Sequence, residues 1–320
     1  MSFQVSRFTE NGLNFVRLQD NATNTIITIL PSHGALLHAF EVPVKDASFN
    51  IIDNYANKEE LEKDLRISYK SSKLSPFVCR LRDGKYTIDG EPYEIGTKFH
   101  DGNAIHGLLW NKEFHITDLF ADDNSAQAAM RYHYKKDDPG YPFDYVCEVR
   151  YTLLRNSILQ VETTLLNLED LEIPIADGWH PYFQLGGTID NYELQFNSNT
   201  LVEFDERLLP TGNLVHDDSF AQPARIGNRQ LDNCVIIVPE EGKPCVALFN
   251  PDNRLLLTIV TNERYSYLQL YTPRERTSIA IENLSSAPDC FNNGMGLVML
   301  PPRSPRTFTV WYQAGVAEND

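Results

Sequence analysis

Larger apolar side chains recur at every second position along much of this chain. Between Tyr145 and Leu153 they fall at Tyr145, Cys147, Val149, Tyr151 and Leu153, with Glu148, Arg150 and Thr152 between them. From Leu159 the same period continues through Val161, Thr163 and Leu165, opposite Gln160, Glu162 and Thr164. Side chains alternate across a strand, so each run reads as a strand with one wet face. Asn156 separates the two runs and predicts a hairpin turn. Shorter runs of the same kind occupy Ile26–Leu30, Leu255–Val260, Tyr267–Tyr271 and Thr307–Tyr312, punctuated by Gly, Pro, Asn and Asp. Strands alternating with helical segments, which a parallel sheet requires, are absent from the pattern. One segment departs from it. Asn57-Lys58-Glu59-Glu60 is a capping-box pattern, and Leu61 and Leu65 share one helical face. It predicts a short helix over Lys58–Ile67 with a solvated charged face, acting as part of a lid. Ser71-Ser72 reads as a loop, and Gly315 to Asp320 as a frayed tail.

These signals predict an all-β chain, a large antiparallel β-sandwich with few short helices and one domain over residues 1–320. A chain of 320 residues buries about 75% of its unfolded surface and needs no disulfide or metal to hold it. The 28 basic and 44 acidic residues give a net charge of −16, which DNA phosphates would repel, and no basic run offsets it. No apolar stretch is long enough to span a membrane, and the first residues show no secretory leader. The five cysteines are scattered and odd in number, as expected of buried, reduced thiols in a cytoplasm.

Phosphate loops, zinc-protease helices, nucleophile elbows and dinucleotide fingerprints are all missing. Three other segments hold an ionisable residue in an apolar or glycine-rich setting. Asn103-Ala104-Ile105-His106-Gly107-Leu108 surrounds His106. Asp177-Gly178-Trp179-His180-Pro181-Tyr182-Phe183 sets His180 between aromatics, whose faces suit the apolar face of a sugar. Ser278-Ile279-Ala280-Ile281-Glu282-Asn283-Leu284 places a carboxylate in a strand-like apolar run, where it is costly unless paired. Satisfied structural histidines, an aromatic core corner and a buried ion pair are the alternative readings. His106, His180 and Glu282 are also the residue types of a two-His-one-carboxylate metal site, but they are spread over the whole chain, so no metal is expected. His33, His38 and His100 match no ligand spacing and read as structural or surface residues.

Taken in order, these segments resemble the aldose 1-epimerase (galactose mutarotase-like) family over nearly the whole chain. Thr28 to Ala35 is similar to the family's first strand and Gly-Ala turn. Cys79-Arg80-Leu81-Arg82-Asp83-Gly84 is similar to its substrate-binding arginine segment, with Arg80 as that arginine and Cys79 where the family usually carries Asn. Ile105-His106-Gly107-Leu108 looks like the first active-site histidine and Trp179-His180-Pro181-Tyr182-Phe183 like the second, in a His-Pro form closer to a divergent bacterial branch. Glu282 falls at the catalytic carboxylate, and Leu231-Asp232-Asn233 is similar to a substrate-binding Asp segment.

The resemblance implies a galactose mutarotase-like sandwich and an isomerase that interconverts the α and β anomers of a free hexose without a cofactor. It implies Glu282 as base, His180 as acid with a pKa near neutrality, and His106 steadying charge on the opening ring. Arg80, Asp232, Trp179 and Tyr182 would bind the sugar. Three other readings are a hexose-6-phosphate 1-epimerase, with Arg80, Arg82 and Lys85 as the phosphate cluster, an inactive sugar-binding protein, and a polysaccharide lyase or other sugar-active enzyme. The expected partner is a small-molecule sugar, not nucleic acid or membrane, and the expected state is a monomer or homodimer.

Overall fold

The computed structural model describes residues 1–45 and 47–318. The hairpin forms as the alternation predicts, with strands Asp144–Leu154 and Ile158–Asn167 paired in register from Leu154 opposite Ile158 to Tyr145 opposite Asn167. Asn156 and Ser157 turn the chain with φ of 62° and 52°, a left-handed conformation that Asn tolerates well. Tyr145, Cys147, Val149, Tyr151 and Leu153 are all buried. This hairpin sits inside a nine-stranded antiparallel sheet, where Pro305–Val316 lies between Ile158–Asn167 and Leu255–Thr261. The C-terminal segment is therefore not frayed from Gly315. Gly315 pairs with Leu256 and Val316 with Leu255, and the Ala317 N–H donates to the Arg254 carbonyl.

The second large sheet has eight strands. Its main path runs Pro210–His216, Thr200–Phe204, Asp232–Ile236, Tyr267–Tyr271, Ile279–Leu284, Gly178–Trp179 and Lys73–Leu74, and Tyr182–Phe183 also pairs with Ile279–Leu284. The two sheets pack face to face. Phe183 lies against Tyr312 and Tyr151 against Trp179, and the Tyr312 hydroxyl donates to the Asn283 side chain. Side chains of the eight-stranded sheet that alternate with these point to its other face. That face forms the floor of a cleft.

A third, five-stranded sheet meanders from Phe3 to Asn50. Its face carries a second small core of Leu13, Phe15, Leu30, Leu36 and Tyr55, onto which the helix Lys58–Ser68 packs Leu61 and Leu65. Burying a leucine fully contributes about 1.5–3 kcal/mol, so the helix is fixed rather than a loose lid. The Glu60 N–H donates to the Asn57 side chain at 3.0 Å, and the Glu60 carboxylate accepts from the Ala56 N–H at 2.7 Å. The expected box therefore forms, with its return bond one residue early. The helix ends at Tyr69, whose φ of 51° is left-handed. Among the described residues no helix is long and apolar enough to cross a membrane.

Candidate active site

Strand register brings the two strongest candidates together. Gly178 pairs with Leu284 and Tyr182 with Ala280. That register puts His180 directly across from Glu282. Gly178 gives this pairing room, because a Cβ there would lie 2.6 Å from a Leu284 methyl group and 3.1 Å from the Asn283 carbonyl oxygen. The His180 Nε2 is 3.2 Å from Glu282 Oε1. The two residues are 5% and 1% exposed. The His180 ring stacks on Tyr182 at 5.0 Å between centroids.

A short pairing of Arg80–Leu81 with Ala104–Ile105 supplies the next group. Just beyond it the His106 N–H donates to the Cys79 carbonyl at 2.9 Å. Both residues are left-handed, with φ of 48° at Cys79 and 59° at His106. Such conformations in non-glycine residues cost energy and collect at functional sites. Gly107 follows because a Cβ there would meet the Ser75 carbonyl oxygen at 2.3 Å. The result is His106 edge-on to His180 at 4.8 Å, with Tyr69 against its other side at 4.7 Å. Cys79 Sγ lies 3.9 Å from Glu282 Oε2, a long thiol-to-carboxylate hydrogen bond.

These side chains line a cleft of about 1150 Å³. Arg80, Asp232 and Tyr182 line it too, so six of the seven expected site residues meet in one place. Trp179 is the exception and corrects the expectation that it binds sugar. It points to the opposite face of the sheet, between the two sheets, with the Lys73 ammonium 4.6 Å from its ring. Arg82 and Lys85 line a separate surface groove, and Arg82 is paired with Asp205 and Asp289. The proposed phosphate cluster therefore does not assemble. His100 is exposed on the cleft's rim.

Several lining residues were not anticipated. Gln269 donates to Asp232 Oδ1 at 2.7 Å and pairs across strands with Glu282. It sits alone among apolar neighbours in Tyr267-Leu268-Gln269-Leu270-Tyr271, the same anomaly that exposed Glu282. Asp53 and Lys70 form an ion pair of 2.8 Å on the wall, and Ser278 donates to the other Asp53 oxygen at 2.7 Å. Nothing in the local sequence signals those two or Tyr69.

Burial governs the electrostatics. It raises the Glu282 carboxyl well above the usual carboxylate range, and Asp232 adds to the rise, while Cys79 and Arg80 oppose it. Burial lowers His180 to about 4. It lowers His106 further below the usual imidazole range, helped by His180 and Arg80. The expectation of a His180 pKa near neutrality is thereby corrected.

The family model described as aldose 1-epimerase matches residues 16–313. The chain belongs to the aldose 1-epimerase family. The family is one of carbohydrate-acting isomerases. The chain is similar to the uncharacterized protein YihR of Escherichia coli (strain K12), at 26% identity over 76% of this chain and 78% of that one. It is also 26% identical to the aldose 1-epimerase of Streptococcus thermophilus, over 62% of this chain and 57% of that protein's length. In three dimensions it resembles a galactose mutarotase-like protein from Clostridium acetobutylicum, with a TM-score of 0.87, 16% identity and 99% of each chain covered. That likeness is one of fold.

Proposed function

We propose that this protein is an aldose 1-epimerase that interconverts the α and β anomers of a free hexose by acid–base opening and closure of the ring. The observation that carries the reading is the buried His180–Glu282 pair, 3.2 Å apart on the floor of the cleft. Membership of the family and the name of the Streptococcus thermophilus relative support it.

Ring opening breaks the bond between C1 and the ring oxygen. The electron pair goes to that oxygen, which takes a proton, and the C1 hydroxyl loses its proton to become a carbonyl. Rotation about C1–C2 and reversal of these steps give the other anomer. The chemistry therefore needs one base and one acid, which is a pair of groups sharing a single proton. Burial sets where that proton rests. A raised Glu282 and a lowered His180 keep it on the carboxyl, whose Oε1 lies 3.2 Å from His180 Nε2. This reverses the resting assignment of Glu282 as base and His180 as acid. The pair works from either state, because opening and closure exchange the two roles.

Neutral His106 and the Arg80 guanidinium face the oxygen on which charge develops. Tyr182 offers an aromatic face, and Asp232 with Gln269 offers polar groups for hydroxyls. Lys70 and Arg80 are each paired with an acid, Asp53 and Asp101, so neither is a free cation for a phosphate group. All five thiols are free and buried, which suits a reducing cytoplasm.

The test is polarimetry of freshly dissolved α-D-glucose and α-D-galactose with the purified protein and with its Glu282→Gln variant. Acceleration by the first and not the second is expected. Failure to accelerate either sugar, with the protein folded, removes the reading.

A further inference from the structure

We propose that the floor of the cleft is also a binding site for a soft divalent ion of the zinc class, held by the Cys79 thiolate, the His106 imidazole and the Glu282 carboxylate, and that the ion competes there with the sugar. The competition rests on the mutarotase reading above, whereas the metal site does not.

One ligand atom from each of these buried residues lies within 4.8 Å of the other two. Zinc binds sulfur at about 2.3 Å and nitrogen or oxygen at about 2.0–2.2 Å, so tetrahedral ligand atoms stand about 3.4–3.6 Å apart. The 3.9 Å between Cys79 Sγ and Glu282 Oε2 is already close to that. Closing the rest requires side-chain shifts of about 1 Å, well within what rotamer adjustment gives. A set of one sulfur, one imidazole nitrogen and one carboxylate oxygen selects zinc-like ions over magnesium or calcium, which prefer oxygen alone.

The backbone around the set is rigid. Cys79 and His106 are tied by their own hydrogen bond, and Glu282 lies on a strand paired on both sides. The two Glu282 oxygens are divided. Oε1 faces His180, while Oε2 faces Cys79. His180 thus stands where an outer hydrogen-bond partner fixes a metal-bound carboxylate. His106 is 7% exposed, and its Nδ1 meets no protein hydrogen-bond partner among the described residues. Cys79 holds its thiol here at a left-handed φ that glycine or asparagine adopts more readily.

Three ligands leave a fourth position open to the cleft. Binding converts the Cys79 thiol to a thiolate and the Glu282 carboxyl to a carboxylate, releasing both protons to solvent with no change in oxidation state. Glu282 bound to the ion can no longer exchange a proton with the sugar, so the ion inhibits.

The experiment uses the full chain, stripped with a chelator and dialysed. Zinc chloride is titrated by calorimetry, and cobalt(II) by absorption spectroscopy. One ion per chain is expected, with a near-ultraviolet sulfur-to-cobalt band. Cys79→Ser should abolish the band and weaken zinc binding roughly tenfold or more, because the soft ligand is lost. Cys245→Ser, a buried thiol elsewhere, should change neither. If Cys79→Ser does not fold by circular dichroism, His106→Asn provides the same comparison for affinity. Absence of stoichiometric binding to the folded chain, or an unchanged affinity in the folded ligand variant, overturns the site. Polarimetric rates should fall with zinc and recover with chelator, and an unaffected rate at saturating zinc overturns the competition. A chain that binds zinc through Cys79 but turns over no sugar keeps the metal site and loses the mutarotase reading. Turnover without zinc binding does the reverse.

Discussion

Two buried ionisable pairs lie on opposite faces of the same sheet, and they are finished differently. Lys73 and Asp177 sit between the two sheets, both fully buried, with Nζ 2.6 Å from Oδ1. Lys73 also donates to the Gly178 carbonyl at 2.9 Å, and the Tyr265 hydroxyl donates to the other Asp177 oxygen at 2.6 Å. Burial raises the Asp177 carboxyl, and the ammonium and phenol oppose that rise. Across the strand, Glu282 has a 3.2 Å contact to His180 and a 3.9 Å contact to a thiol, and His180 Nδ1 has no protein partner among the described residues. The first pair is sealed between the sheets, with Asp177 Oδ1 resting on the ammonium alone. The second is left short of partners where a ligand can reach it. Access from the cleft, rather than the number of unpartnered atoms, marks the face where chemistry can take place.

Breaking the sealed pair should have the largest effect. Lys73→Met leaves the Asp177 carboxyl buried without its cation, which costs about 3–5 kcal/mol. Urea denaturation should show that loss. The double variant Lys73→Met/Asp177→Leu should recover most of it, since apolar replacement of both partners is often neutral. If Lys73→Met alone is as stable as the parent chain, the pair is not structural and the contrast fails.

Next in size is the cleft pair. Glu282→Gln should lower the mutarotation rate by at least about 10²-fold, equivalent to about 2.7 kcal/mol in the barrier. The same change should leave stability at neutral pH equal or higher. Its sign follows from linkage. The folded-state pKa of Glu282 is raised, so its contribution is fully present below the unfolded value and is lost as pH rises through the folded one. Parent and variant should therefore be closest in stability at acid pH, with the variant gaining as pH rises. A variant that loses stability progressively toward alkaline pH would contradict the assigned direction.

The rate should follow the proton count of the pair. Protonation of His180, lowered to about 4, removes the base on the acid side. Loss of the Glu282 proton removes the acid at a pH well above the usual carboxylate range. With chelator present, the pH–rate profile should be a plateau bounded on the acid side near pH 4. An acid limb centred near 6.5, roughly the unperturbed imidazole value, would show that burial does not set this pair.

The contrast also explains what could be read before the fold was known. Alternation revealed the hairpin Asp144–Asn167 because one face of each of its strands is wet. Ile279–Leu284 is buried at every position, so period alone could not assign its faces. Glu282 stood out there only through the cost of a carboxylate in an apolar run. Trp179 went astray for the same reason, since nothing local says which side of a doubly covered strand meets the cleft. Lys73 follows Ser71-Ser72 and reads as polar loop, and its partner lies 104 positions away in the chain. Pairing across that distance is a product of topology, as is the approach of Tyr69 and Gln269 to the cleft.

The smallest effect isolates one residue that touches the cleft pair. Cys79 touches Glu282 while its backbone stays at a φ of 48°. Asparagine accepts that conformation with less strain than other side chains. Cys79→Asn should therefore be more stable than Cys79→Ser by about 1 kcal/mol, because serine removes the sulfur and keeps the strain. Urea midpoints at equal slope measure the difference. Equal midpoints would mean that the backbone at Cys79 is relaxed, and the cleft side would then differ from the Lys73–Asp177 side only in being open to a ligand. A clear gain for asparagine would mean that the cleft holds its thiol beside Glu282 against the backbone's own preference, a cost that the sealed pair between the sheets does not carry.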